Sequence, residues 1–247
     1  GKNINIWSAA CSTGEEAVSL YALAKSIGCR PVMYATDIDS KAIEEMETGV
    51  WSKNSFRADG NKFNYLLDNI GNTSDDGLKW SINKTDFSFF NISRFNLIAD
   101  NNFPLMADSA DLIFLRNVFI YFNKENQKKV LDKLSSVLKT DALLFLSINE
   151  IASVNDLEGT RLVKEHTGNV YYLRKISSAE FHNIDEKKNK KRTQGQRKTT
   201  SDELKLPSET KTSTTNIPEK NSTESETEIK FQAEKKNTET QEKQKNT

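Results

Sequence analysis

The sequence predicts an α/β fold: a doubly wound, mostly parallel sheet with a small antiparallel β insertion and a C-terminal hairpin. Three observations predict it. Short apolar runs alternate with stretches of helical periodicity from residue 4 onward, the order that builds parallel sheets. The alternation is interrupted over residues 50–88 by a glycine-containing stretch with a two-residue apolar period. From about residue 177 the composition turns polar, with nine apolar residues in 71 and no periodicity.

Taken in order, Ile4 to Ala10 (INIWSAA) reads as a strand buried on both faces. The loop Cys11-Ser12-Thr13-Gly14-Glu15-Glu16 leads to a helix with Ala17, Val18, Leu20, Tyr21, Ala24 and Ile27 on one side. Ser12-x-x-Glu15 and Thr13-x-x-Glu16 both have capping-box spacing, and Gly28 is placed to stop the helix. Val32 to Thr36 reads as a second strand, and Ser40 to Glu47 as a short helix closed by Gly49. The alternating Leu78, Trp80 and Ile82 mark the antiparallel insertion. Further strands are expected at Phe89 to Ile98, Asp111 to Leu115 and Ala142 to Ser147, with an amphipathic helix from Lys124 to Leu138. Arg161 to Lys164 and Asn169 to Arg174, joined across Thr167-Gly168, read as a hairpin. The expected organisation is a folded domain over residues 1–176 and a disordered polar tail over 177–247.

Composition narrows the function classes. The 247 residues carry 35 Lys and Arg against 35 Asp and Glu, so no concentrated basic footprint points to nucleic acid. The one basic cluster, Lys187 to Arg192, reads as solvated tail, with an acidic partner or the negative cytoplasmic membrane surface as the weaker alternative. Two cysteines, Cys11 and Cys29, lack the spacing of a disulfide framework or a zinc site, and no metal is expected. No apolar run has the length of a membrane span and no signal segment opens the chain, so a cytoplasmic location is expected. The chain starts at Gly1 with a strand almost at once, which reads as a fragment lacking a preceding part.

In a doubly wound sheet, ligands bind beyond the carboxyl ends of the strands, where the strand order reverses. The loop Ser12 to Glu16 lies there, but it has one glycine and two carboxylates where a dinucleotide turn would receive a pyrophosphate. Negative charge at that helix start suits a cationic or zwitterionic ligand, unless Glu15 and Glu16 only cap the helix. Asp37 ends the second strand, 23 positions after Gly14, near the spacing at which an acidic residue receives a ribose hydroxyl pair. Asp39 or Ser40 is the better helix cap, which leaves Asp37 for the ribose. An acidic loop and a ribose-reading Asp suit S-adenosylmethionine.

Longer strings point the same way. INIWSAACSTGEEAVSLYALAKSIG, YATDIDSKAIEEMETGVW, ADLIFLRNVFIYFNKENQKKVLDKLSSVLKTDALLFL and the closing NVYYLRK resemble, in order and over about residues 3 to 175, the catalytic domain of the chemotaxis receptor methyltransferases, the CheR family. The resemblance implies a class I S-adenosylmethionine-dependent enzyme that methylates glutamate side chains on chemoreceptor cytoplasmic helices, giving methyl esters in chemotactic adaptation. Carried over, Glu16 contacts the methionyl end of the cofactor and Asp37 the ribose. Asn96 and Leu97 border the adenine, with Asn91-Ile92 as second choice. Arg116 and Asn117 line the cofactor and the approach to the methyl group, and Tyr121 sits near the transferred methyl. Arg116 and Tyr121 are thus the residues assigned to catalysis. The product is S-adenosylhomocysteine, the partners are chemoreceptor helices, and the enzyme is expected to be a monomer.

The sequence departs from the family pattern at Leu115 for the usual Cys, Ala17 for the usual Pro and Ile148-Asn149-Glu150 for a His-Ser-Glu string. The helical domain that usually precedes the first strand is expected to be missing. Two alternatives stay open on the sequence: a fragment or paralogue that binds cofactor or receptor without turnover, and a nicotinamide-dependent oxidoreductase using Asp37 for ribose.

Overall fold

Strand β1 (Asn3–Ala9) lies inside the main sheet, with Ile6, Trp7, Ser8 and Ala9 essentially inaccessible to solvent. A central strand covered on both faces must be apolar almost throughout, which is what the run encodes. The computed structural model describes residues 1–56, 64–154, 157 and 159–186, all within one compact unit. Helix α1 (Glu15–Ser26) follows and buries Ala17, Val18, Tyr21, Ala22 and Ala24 along one side. It ends as Gly28 predicts. Gly28 takes φ +81°, its N–H donates to the Lys25 carbonyl and that of Cys29 to the Ala24 carbonyl, a Schellman closure.

Strand β2 (Arg30–Asp37) lies parallel to β1, and α2 (Ser40–Glu47) is capped by the Asp39 carboxylate, which accepts from the Lys41 N–H. The insertion then forms a small antiparallel sheet from β3 (Val50–Ser52), β4 (Gly71–Thr73) and β5 (Lys79–Ile82), in the order β3-β5-β4, with α3 (Asn64–Asp68) between its first two strands. A short helix α4 (Lys84–Phe87) leads to β6 (Phe90–Arg94), which pairs with β2 at the edge of the main sheet.

The chain next crosses back to β7 (Ala110–Phe114), parallel to β1 on its other side. Helix α5 (Lys124–Val137), β8 (Leu138–Phe145) and α6 (Ile148–Ser153) follow, and β9 (Leu162–Thr167) with β10 (Val170–Lys175) closes the sheet as an antiparallel hairpin. The seven strands lie in the order β6-β2-β1-β7-β8-β10-β9, with β6, β2, β1, β7 and β8 mutually parallel and β10 antiparallel to β8. The doubly wound, mostly parallel sheet with a small antiparallel insertion is therefore the architecture found. Strand order reverses between β1 and β7. Two cores fill the faces: one packs α5 and the 95–105 segment on the sheet around Trp7, the other packs α1, α2 and the insertion around Met33 and Met46.

Several boundaries differ from expectation for local reasons. The strand expected through Ile98 stops at Arg94, because the Asn96 side chain accepts from the Ile98 and Ala99 N–H groups and folds the chain into a turn. The hairpin turns one residue later than expected, over Gly168 and Asn169, with Thr167 paired to Val170. Regular structure does not stop at residue 176: a helix α7 spans 178–186, where Glu180 receives the Arg174 guanidinium at 3.0 Å. The disordered tail expected beyond, with its Lys187 to Arg192 cluster, lies outside the described residues.

Candidate functional site

The loop between β1 and α1 is strained within a few residues. Ala10 (φ +132°), Ser12 (φ +50°) and Gly14 (φ +95°) all take positive φ, a conformation L-residues adopt only when their surroundings hold it. Four contacts do so. The Cys11 N–H donates to the Thr36 carbonyl at 2.9 Å and that of Gly14 to the Cys11 carbonyl at 2.9 Å. The Ser12 N–H donates to Asp37 Oδ2 at 2.8 Å. The Trp51 indole N–H, reaching over from the insertion, donates to the Thr13 carbonyl at 2.6 Å. A side chain at Gly14 would have to displace Met46, since a Cβ there would lie 2.6 Å from Met46 Cγ and Sδ.

The expected capping boxes do not form. Gly14, rather than Ser12 or Thr13, is the N-cap of α1 and has no side chain to cap with, and Glu15 and Glu16 are engaged elsewhere. Glu15 accepts from its neighbour Thr13 Oγ1 at 2.6 Å. Glu16 reaches across the sheet edge: Ser8 Oγ donates to Oε1 at 3.0 Å, and Arg116 Nη1 donates to Oε2 at 2.9 Å. The ion pair thus joins the segments after β1 and β7, the two strands that flank the reversal in strand order. Both partners are partly exposed, so the pair contributes at most about 1 kcal/mol to folding and acts mainly by setting geometry.

Asp37, at the end of β2, accepts from the Ser12 N–H through Oδ2 and from the Asp39 N–H at 3.0 Å through Oδ1. A carboxylate has about four acceptor positions, so each oxygen keeps one more. Burial, together with the charges of Asp37, Glu16 and Glu15, pushes the Cys11 thiol up to about 12. Cys11 is therefore a protonated packing residue, and its shift records the negative field under the loop.

Asn96 and Leu97 lie just beyond the carboxyl end of β6, whereas Asn91 and Ile92 lie inside that strand, opposite Tyr34 and Ala35. The 96–100 turn is closed from within and from outside. Asp100 Oδ2 accepts from the Asn96 N–H at 2.7 Å, and Lys133 Nζ on α5 donates to the carbonyls of Leu97, Ile98 and Asp100 at 3.4, 2.9 and 2.7 Å. Leu97 is itself buried in the core.

Beyond β7 the chain runs through Arg116 and Asn117, the latter in the left-handed region at φ +61°, into a 3-10 turn Phe119–Tyr121. Tyr121 is 78% exposed. The segment is held by a residue that the reading of site residues passed over. Glu150, on the first turn of α6 and fully buried, accepts from the backbone N–H groups of Asn117 (3.0 Å), Phe119 (2.8 Å) and Ser147 (3.0 Å) and from the Ser147 hydroxyl (2.5 Å). The Ser147-x-x-Glu150 capping-box spacing was the signal that could have found it. Beside Arg116 lies a groove of about 250 Å³ lined by Phe114, Phe145, Ile148, Val170 and Tyr171.

Residues 1–166 match the family model described as CheR methyltransferase, SAM binding domain. The chain belongs to the CheR methyltransferase family. Its cofactor is accordingly S-adenosylmethionine rather than a nicotinamide dinucleotide. The chain is 31% identical over 150 residues to the chemotaxis protein methyltransferase of Salmonella typhimurium, covering 59% of this chain and 51% of that protein. It is 30% identical over 151 residues to the protein of the same name from Escherichia coli, covering 59% and 51%. The Borreliella burgdorferi protein of that name is 29% identical over 154 residues, covering 60% and 52%. The chain thus spans about half the length of the curated relatives it matches. Among the described residues, no helix is long and apolar enough to cross a membrane.

Proposed function

We propose that this chain is the cofactor-binding and methyl-transferring part of a protein-glutamate O-methyltransferase whose substrates are chemoreceptor cytoplasmic helices. The observation that carries the reading is the Glu16–Arg116 pair at the strand-order reversal, with Asp37 one strand away. The donor set fits a zwitterionic, ribose-bearing ligand. Glu16 accepts from the ammonium and Arg116 donates to the carboxylate of the methionyl end, each group exchanging part of its mutual pairing for an opposite charge on the ligand. Asp37 receives ribose hydroxyls on its remaining acceptor positions. Asn96 and Leu97 border the adenine through the closed 96–100 turn, and Asn117 lines the path from Arg116 to Tyr121.

When bound, the cofactor supplies a methyl group on a positively charged sulfur, and transfer to a carboxylate oxygen leaves a thioether and an ester with no proton to move. An acceptor glutamate is already ionised at neutral pH, so the chain's residues need only align it. Arg116 orients the donor end and Tyr121 stands at the acceptor side, exposed to a partner chain.

The test is transfer of radiolabelled methyl from S-adenosylmethionine to a chemoreceptor cytoplasmic fragment. The expected product is released as methanol by alkali, and Arg116→Ala lowers its rate at least about tenfold. Label that resists alkali, or no label from folded protein that binds S-adenosylhomocysteine, overturns the proposal. The second of these outcomes would favour a binding module without turnover.

A further inference from the structure

We infer that Glu150 is a positioning residue that holds Arg116 and Asn117 in place, an inference that rests on the reading of Arg116 as a cofactor contact. Where the chain leaves β7 it loses its ladder partners, and the N–H groups of Asn117 and Phe119 face inward. An inward-facing N–H without an acceptor is costly, and a residue with φ +61° that is not glycine adds strain. Glu150 answers both N–H groups with one carboxylate, Oε2 on Asn117 and Oε1 on Phe119. The carboxylate is itself anchored by the Ser147 hydroxyl and N–H, so it cannot follow the segment if the segment moves. The Phe119 carbonyl is tied separately by Gln127 Nε2 of α5 at 3.2 Å, and the Phe119 ring is fully buried. Asn117 and Phe119 are thereby clamped by α5 and α6, and Arg116, one residue before the first clamp, projects back to Glu16.

A buried acceptor of four donors cannot be replaced by an amide without turning an N–H toward an N–H. Glu150→Gln keeps the volume and breaks this match. The experiment titrates S-adenosylhomocysteine into the wild-type chain, Glu150→Gln, Ser147→Ala, Arg116→Ala and the Glu150→Gln/Arg116→Ala pair, with thermal unfolding of each. Per folded molecule, Glu150→Gln weakens binding about tenfold and Ser147→Ala about threefold, as expected for displaced positioning groups. The Glu150→Gln loss shrinks in the Arg116→Ala background, because the carboxylate acts largely through the placement of Arg116. A residue that served folding alone would lower the unfolding temperature and leave affinity unchanged, which overturns the inference. Equal losses in both backgrounds overturn it too. If Glu150→Gln does not fold, Ser147→Ala alone and combined with Arg116→Ala carries the same comparison. Wild-type affinity in Arg116→Ala would instead refute the reading of Arg116, and the inference with it.

Discussion

Glu16 accepts from a serine hydroxyl on one oxygen and from a guanidinium on the other, so it is already oriented by Ser8 for whatever cation approaches Oε2. Glu16→Gln keeps the shape and removes the charge. It should weaken S-adenosylhomocysteine at least about tenfold, the scale of a charged hydrogen bond, while the unfolding temperature moves little because the ion pair is partly exposed. Calorimetric titration beside thermal unfolding checks both halves. For Glu150 the expected signature is in pH. Burial opposes its ionisation, but the Ser147 hydroxyl and the N–H groups of Asn117, Ser147 and Phe119 outweigh burial and hold its carboxyl below the ordinary value of 4.5. A carboxyl depressed in the folded state contributes stability that is present above its unfolded value and lost as pH falls through the folded one. The stability gap between wild type and Glu150→Gln should therefore be constant above about pH 5 and shrink as the solution is acidified below 4.5. Denaturant titrations at several pH values measure that gap.

At the scale of elements, the strained loop after β1 and the turn after β6 are two of the devices that shape the candidate site. Gly14→Ala places a Cβ against Met46 in a conformation only glycine takes freely, and should cost about 1–3 kcal/mol of stability, seen in denaturant unfolding. Lys133→Met leaves three carbonyls of the 96–100 turn without their donor and should weaken S-adenosylhomocysteine several-fold with α5 intact by circular dichroism. The elements themselves were legible, because a strand covered on both faces and a helix packed on one side write different periods into the chain. Positions fixed by side chains reaching across the fold were not. Glu15 and Glu16 have capping-box spacing, yet Glu16 answers to Arg116, 100 residues away, and local spacing carries no trace of that partner. Asn96 shows the converse: the asparagine that ends the strand early is a local signal, overridden in the reading by the apolar run around it. Glu150 was seen only as part of a departure from the family string, although its spacing from Ser147 marked it.

For the molecule as a whole, parallel strands bring the ends of β1, β2, β6 and β7 to one edge, so segments far apart in sequence share one site. The groove beside Arg116 opens at that edge, and Ile148 within it is 68% exposed. If an acidic acceptor approaches there, Ile148→Glu should raise the KM for receptor at least about threefold by repulsion and leave S-adenosylhomocysteine affinity unchanged, which steady-state methylation assays can separate. The central claim is that the carboxyl edge of β2, β1 and β7 holds S-adenosylmethionine through Glu16, Asp37 and Arg116. Its most direct test is calorimetric titration of the folded chain with S-adenosylhomocysteine and with NADH, beside Asp37→Ala. The account predicts one site for S-adenosylhomocysteine, lost or strongly weakened in Asp37→Ala, and no heat from NADH. Binding of NADH, or S-adenosylhomocysteine binding that Asp37→Ala leaves untouched, would contradict it.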